Sequence, residues 1–303
     1  MKIGISLNST HPADGPADGP VDGPVDGPVD GPAKMIERAR AAHQAGFASL
    51  TIGDHHNMPT RYAQNTPMLG RLLAEWPDRP AGCLFLVPLW HPLLMAEQIG
   101  TLAAMHPDRF IVQTGLGRGD DQFAAFGLTE RTRGTRIERA VPIVQRLLAG
   151  ETVDDEYFEM VGAKVGLRPD GPIEWWMGAS ADVGLERAAR MGAVWYGGPA
   201  NDATLGAERL ERFRSYGGTR ATIRKDALVL EDGGEARRVA AELVDQGYRG
   251  LGTDQLIVGS VEDAAAQISQ LLDVGFEEVV IRCMTVPQDQ AIETIELVGS
   301  LAS

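Results

Sequence analysis

Phe110 to Asp121 reads FIVQTGLGRGDD, a short apolar run that opens into glycines at 115, 117 and 119 and then into two aspartates. A run this short, bounded by turn residues, predicts a buried strand from Phe110 to Gly115 followed by a permissive loop. A dinucleotide-binding turn needs its third glycine where this chain has Asp120, so no nicotinamide site is read here. Working outward, the same pattern recurs at Lys2 to Leu7, Ser49 to Gly53, Gly82 to Val87, Glu174 to Met177, Ala193 to Tyr196, Thr222 to Leu230 and Glu278 to Cys283. Between these runs, Ile137, Val141, Val144 and Leu148 recur at helical spacing, as do Val261, Ala265, Ile268 and Leu272. Strands apolar on both faces and separated by helices imply a parallel sheet with right-handed crossovers. Eight such units in 303 residues predict an α/β fold, a (β/α)8 TIM barrel in a single domain. A doubly wound open sheet is the alternative.

Composition narrows the partners. A formal net charge of -14 works against nucleic acid or an anionic membrane, because affinity for phosphate arrays rests on clustered Lys and Arg. The N-terminal MKIGISLNST is too short an apolar stretch for a signal peptide, and no window approaches the run needed for a membrane span. Cys83 and Cys283 lie inside apolar runs, which reads as buried, reduced thiols and a cytoplasmic setting. Asp14 to Pro32 is a repeat of Asp, Gly, Pro and a small apolar residue, a composition that resists helix and sheet. It is expected to be a flexible low-complexity loop after strand 1, and its regularly spaced aspartates lack the fixed turn of a Ca2+ loop.

In such a barrel chemistry belongs at the carboxyl ends of the strands. Asp54, His55 and His56 follow the second strand, where a histidine beside a carboxylate suits proton transfer. The bland reading is one packed and one solvated imidazole. Val87, Pro88 and His91 follow the third strand; Gly115, Gly117, Arg118 and Asp120 follow the fourth. Gly178, Ala179 and Ser180 follow the fifth, a small-residue turn at a helix start that suits a phosphate, with Gly197 and Gly198 at the sixth. The same turns also serve as ordinary N-caps. The histidines stand at 11, 43, 55, 56, 91 and 106, none after the fourth strand, so no metal site is expected. No Gly-x-Ser-x-Gly elbow occurs, and no covalent enzyme intermediate is expected.

GDHH at Gly53 to His56, LVPLWHP at Leu86 to Pro92, GLGRGDDQFAAFG at Gly115 to Gly127, and WWMGAS followed by LERAARMGAVW together resemble the bacterial luciferase-like flavin oxidoreductases. That resemblance implies a (β/α)8 barrel binding reduced FMN or the deazaflavin F420 at its mouth. It places His55 beside the isoalloxazine as the proton-handling residue. Arg118, Gly178, Ala179, Ser180, Gly197 and Gly198 become cofactor contacts, with Arg118 and Ser180 on the phosphate. Cys83 and Leu84 fall at the family's non-prolyl cis peptide under the ring. Asp120 falls where some F420 enzymes carry a glutamate acid, one methylene longer. The implied activity is monooxygenation of a small organic substrate with O2 and externally reduced FMN, which calls for a separate flavin reductase. F420-dependent hydride transfer and non-catalytic flavin binding are the alternatives. The resemblance also implies a homodimer; the substrate's identity is not legible.

Overall fold

The computed structural model describes residues 1–11, 31–58, 60–106 and 108–302. Eight strands, β1 (Ile3–Leu7), β2 (Leu50–Ile52), β3 (Ala81–Leu86), β4 (Phe110–Gly115), β5 (Ile173–Gly178), β6 (Val194–Gly197), β7 (Ala221–Val229) and β8 (Val279–Cys283), make a closed parallel (β/α)8 barrel. They coincide with the eight apolar runs of the sequence. The open-sheet alternative is set aside.

Contacts gather into two compact units. One comprises Met1–Asn8, Ile36–Thr51 and Trp175–Ser303; the other comprises Ser9–Met35 and Ile52–Glu174. Within the first, β5 pairs with β6, β6 with β7, β7 with β8 and β8 with β1, all parallel. A further short strand, Ile257–Gly259, pairs with the far half of β7. Within the second, β3 and β4 run in parallel register from Ala81 opposite Phe110 to Leu86 opposite Gly115. Gly82 interrupts an apolar run for a steric reason: a Cβ there would lie 1.8 Å from the Ile111 carbonyl oxygen.

The helices carry the stripes that the sequence predicts, with one adjustment. Helix α1 (Gly31–Gln44) precedes β2, and α2 (Asn65–Leu72) lies between β2 and β3. Helix α3 (Pro92–Ala104) follows β3; the short α4 (Asp120–Ala124) and α5 (Arg133–Leu148) follow β4. Ile137, Val141, Val144 and Leu148 of α5 are all buried, joined by Ala140 and Leu147. After these come α6 (Asp182–Arg190), α7 (Ala203–Ser215), α8 (Gly233–Asp245), α9 (Val261–Val274) and α10 (Gln288–Gly299). Of the expected α9 stripe only Ile268 is buried; Ala264 and Leu271 are its buried companions, while Val261, Ala265 and Leu272 are half-buried. A capping box between Ser260 and Asp263 fixes the start of this helix and hence which face turns inward.

Most of the Asp14 to Pro32 segment lies outside the described residues. Its last two, Gly31 and Pro32, belong to α1 rather than to a loop. The amides of a helix's first turn have no intrahelical partner, so a proline there removes nothing. Among the described residues no helix is long and apolar enough to cross a membrane.

The close approach at Gly82 makes a simple test. Gly82→Ala is expected to lower the free energy of unfolding by roughly 1–3 kcal/mol in chemical denaturation, because the strand must shift to admit the methyl group. An unchanged midpoint would contradict the register of β3 on β4.

Candidate active site

In the unit that holds β3 and β4, the end of β2 delivers Asp54, His55 and His56. Asp54 is 5% exposed. Its Oδ2 accepts from the Leu86 amide at 2.8 Å and from Trp90 Nε1 at 2.9 Å. Its Oδ1 stands 3.2 Å from His56 Nε2, at ion-pair distance but off hydrogen-bond alignment, so both atoms are buried without a hydrogen-bond partner. The His56 ring meets Trp90 at 5.9 Å and Phe126 at 5.0 Å, and Trp90 packs edge-on against Phe85 at 5.1 Å. A carboxylate and an imidazole are thus held inside an aromatic wall, where low polarizability strengthens every charge interaction.

His55 behaves differently. Its Nδ1 lies 3.2 Å from the His56 carbonyl oxygen, and its ring packs edge-on to Tyr62. A carbonyl only accepts, so Nδ1 carries the proton and the Nε2 lone pair of the neutral ring is left for another donor. The chain therefore presents two imidazoles in two roles: one set against a fixed carboxylate, one with a basic nitrogen available.

Gln122 was not singled out in the sequence, yet it ties these parts together. Its Oε1 accepts from the His56 amide at 2.9 Å and its Nε2 donates to the Arg118 carbonyl at 3.1 Å. The glycine loop after β4 needs its glycines: Gly117 has φ 68° and Gly119 has φ 96°. Arg133 donates to the Gly117 carbonyl and pairs with Glu130, which in turn accepts from the Gly119 amide. Arg133 and Glu130 lie beyond the motif, which is why motif reading passes over them.

Of the residues expected on the cofactor, Arg118 is exposed, and its guanidinium makes no hydrogen bond or ion pair among the described residues. Asp120 is exposed at the first position of α4, and no contact joins it to His55 or His56. Cys83 is fully buried, and burial, helped by the charge of Asp54, pushes its thiol well above the usual range. It can offer a ligand only its backbone. Leu84 is half-buried, and its carbonyl accepts from Asn65 Nδ2 at 2.7 Å. The expected cis peptide is not present: no cis bond occurs among the described residues. The unbroken register of β3 on β4 runs through Cys83 and Leu84 in trans geometry.

The other unit contributes the small-residue turns. Gly178 ends β5, and Ala179 and Ser180 lead into α6. The Ala179 carbonyl accepts from Trp195 Nε1 at 2.9 Å, and Gly184 of α6 lets the helix close on Ala179. No side chain caps the N-terminus of α6, and Arg212 takes up the charge of Asp182 in its first turn, its Nη1 donating to both carboxylate oxygens. Gly197 is buried, and around Gly198 nothing lies within 4 Å of where a Cβ would be. This turn is pinned by Lys225, 3% exposed, whose Nζ donates to the carbonyls of Pro199 at 2.9 Å and Asn201 at 2.8 Å. Burial lowers the Lys225 ammonium from 10.5 to about 8, against the opposing pull of Asp202, Asp226 and Asp254. Among the described residues no group of His, Cys, Asp and Glu stands ready to hold a metal ion.

Each unit by itself offers groups that fit a part of a phosphorylated flavin. An uncapped helix start with an adjacent hydroxyl suits a phosphate. In the β3–β4 unit, Asp54 Oδ1 and His56 Nε2 are buried without a hydrogen-bond partner, an acceptor and a ring nitrogen of the kind that a polar ring edge can satisfy.

Imidazoles and small-residue turns thus follow the strands of a barrel, the end at which this fold carries its chemistry. Residues 1–247 match the family described as luciferase-like monooxygenase, and the chain belongs to that family of oxidoreductases. It is 31% identical over 163 residues to the F420-dependent glucose-6-phosphate dehydrogenase of Beutenbergia cavernae, a match covering 50% of this chain and 48% of that enzyme, so about half of the relative is spanned. The crystal structure of monooxygenase RslO1 from Streptomyces bottropensis shares the fold with a TM-score of 0.79 at 20% identity, covering 99% of this chain and 98% of that one. The oxygenating constituent of 3,6-diketocamphane monooxygenase from Pseudomonas putida, in complex with FMN, does so with a TM-score of 0.75 at 14% identity, covering 99% and 96%. Of these three, one is named for F420 and one is in complex with FMN.

The lysine under the Gly197 turn makes stability depend on pH. The unfolded chain keeps this ammonium charged up to its ordinary 10.5, whereas the folded chain sheds the proton near 8. Folding therefore releases a proton between these values, and stability rises with pH across that window. Measured by denaturation at pH 8 and pH 10, wild type is expected to gain stability relative to Lys225→Met; parallel pH profiles would contradict the buried ammonium.

Proposed function

We propose that the chain is a flavin-dependent monooxygenase that uses externally reduced FMN and O2 on a small organic substrate. The observation that carries this reading is the Asp54–His56 pair set within Trp90, Phe126 and Phe85. Reduced FMN, when bound, supplies the electrons that activate oxygen. The chain's own residues supply the rest. The aromatic wall excludes water from the reacting groups. Asp54 holds His56 by charge, and the open Nε2 of His55 accepts or returns a proton. Ser180, Ala179 and Gly178 at the start of α6 and the Gly197–Gly198 turn bind a phosphate. In its own unit, the Arg118 guanidinium offers a phosphate its planar fork. Cys83 and Leu84 support the ring through their backbone. With no nicotinamide fingerprint in the chain, the reducing equivalents come from a separate flavin reductase.

A second reading, F420-dependent hydride transfer, is favoured by the dehydrogenase relative. It needs an acid or base at the transferred hydride. Asp120, the carboxylate at the matching place, is exposed and linked to neither histidine. His55, with its open Nε2, serves as proton partner in either reading; the oxygenase reading is preferred for the aromatic enclosure of the Asp54–His56 pair.

Purified chain is mixed with photoreduced FMN or with reduced F420, with and without O2, and the cofactor absorbance is followed. Binding of reduced FMN, with reoxidation that requires O2 and departs from that of free flavin, is expected, and His55→Ala should bind FMN yet lose the altered kinetics. Tight binding of F420 with oxygen-independent turnover, and no affinity for FMN, would replace this reading with the second. Reoxidation indistinguishable from free flavin would leave only a binder.

A further inference from the structure

Inside the unit that carries β7 and β8 lies a cationic cluster that the preceding site does not use. Asp226 on β7 is 0% exposed and stands in register with Arg282 on β8. Tyr248 donates its hydroxyl to Asp226 Oδ2 at 2.9 Å, and Arg249 Nε lies 3.3 Å from the same oxygen. Arg224 Nε lies 3.5 Å from Asp226 Oδ1, yet both atoms are buried without a hydrogen-bond partner. Arg282 makes no ion pair among the described residues; its Nη2 donates to Asn8 Oδ1 at 2.6 Å, just past the end of β1. Burial and Asp226 raise the Tyr248 hydroxyl, and the charges of Arg282 and Arg224 pull it the other way.

The charges do not balance. Arg224 and Arg249 share the one carboxylate of Asp226, and Arg282 makes no ion pair among the described residues. Arg224 and Arg282 are half-buried and Arg249 is exposed, so the charge that Asp226 leaves unmatched is within reach of a ligand. The chain had acid to spare, with 42 Asp and Glu against 28 Lys and Arg. Arg249 is also held at φ 51°, a left-handed backbone that a non-glycine residue adopts only when its surroundings impose it. Asn8 and Arg282 lie toward the carboxyl ends of β1 and β8, the side of such a barrel where substrates bind.

We propose that Arg282 and Arg224, oriented by Asp226, Tyr248 and Asn8, bind an oxyanion head group of the substrate, a carboxylate or a phosphate. Arginine's planar fork matches both head groups. Asp226 keeps Arg224 and Arg249 in place and leaves the surplus charge to the ligand. Calling this anion the substrate's rests on the oxidoreductase reading above; the anion site itself does not.

The test uses the full chain in an Arg118→Ala/Ser180→Ala background, so that an anion cannot report the flavin phosphate site. Inorganic phosphate and acetate are titrated separately by calorimetry. Saturable binding of at least one is expected, and the stronger of the two identifies the head group. Adding Arg282→Met or Arg224→Met is expected to weaken that binding at least tenfold. Adding Arg282→Lys, which keeps the charge and loses the fork, should weaken it less, and circular dichroism checks that each variant is folded. No saturable binding of either anion, or binding that survives both methionine substitutions, overturns the proposal. Failure of the flavin reading shows separately, as absent FMN binding to wild type.

Discussion

The buried carboxylate of Asp54 is the constraint on which the candidate active site depends. A charge taken out of water must be met by donors, and this one is met by the Leu86 amide and the Trp90 indole. Those two contacts fix where β3 ends and where Trp90 turns. The remaining oxygen faces His56, whose ring completes the aromatic enclosure with Trp90 and Phe126. Removing the carboxylate would strand two buried donors and release the imidazole at once. Strand end, aromatic wall and proton carrier thus share a single anchor.

Much of the fold was legible because barrel strands must be apolar on both faces, and eight such runs leave little choice of architecture. The glycine loop was legible for the same kind of reason, since Gly117 and Gly119 adopt positive φ. The details that escaped depend on contacts distant in sequence. Gln122 reads as one more polar residue after two aspartates until it bridges His56 and Arg118. Lys225 reads as a charge in a strand until it is seen holding the carbonyls of Pro199 and Asn201. The inward stripe of α9 differed from the periodic guess because a capping box, not periodicity alone, sets the rotation of a helix.

Charge is distributed against the overall balance. The chain is acidic as a whole, yet near the ends of β7 and β8 half-buried and exposed arginines gather around the buried Asp226. A negative exterior with local cationic pockets admits small anions while disfavouring polyanions such as nucleic acid. This fits a family whose cofactors and many conceivable substrates carry phosphate or carboxylate, and it places discrimination in the pockets rather than on the surface.

The proposal that the charge of Asp54 holds the site in its working arrangement is tested most directly by Asp54→Asn, which keeps the shape and an acceptor oxygen but removes the charge facing His56. With FMN affinity measured alongside oxygen uptake in the presence of reduced FMN and a substrate that supports turnover, the account expects near-normal binding and turnover lowered about 100-fold or more. Unaltered turnover with unaltered binding would contradict it.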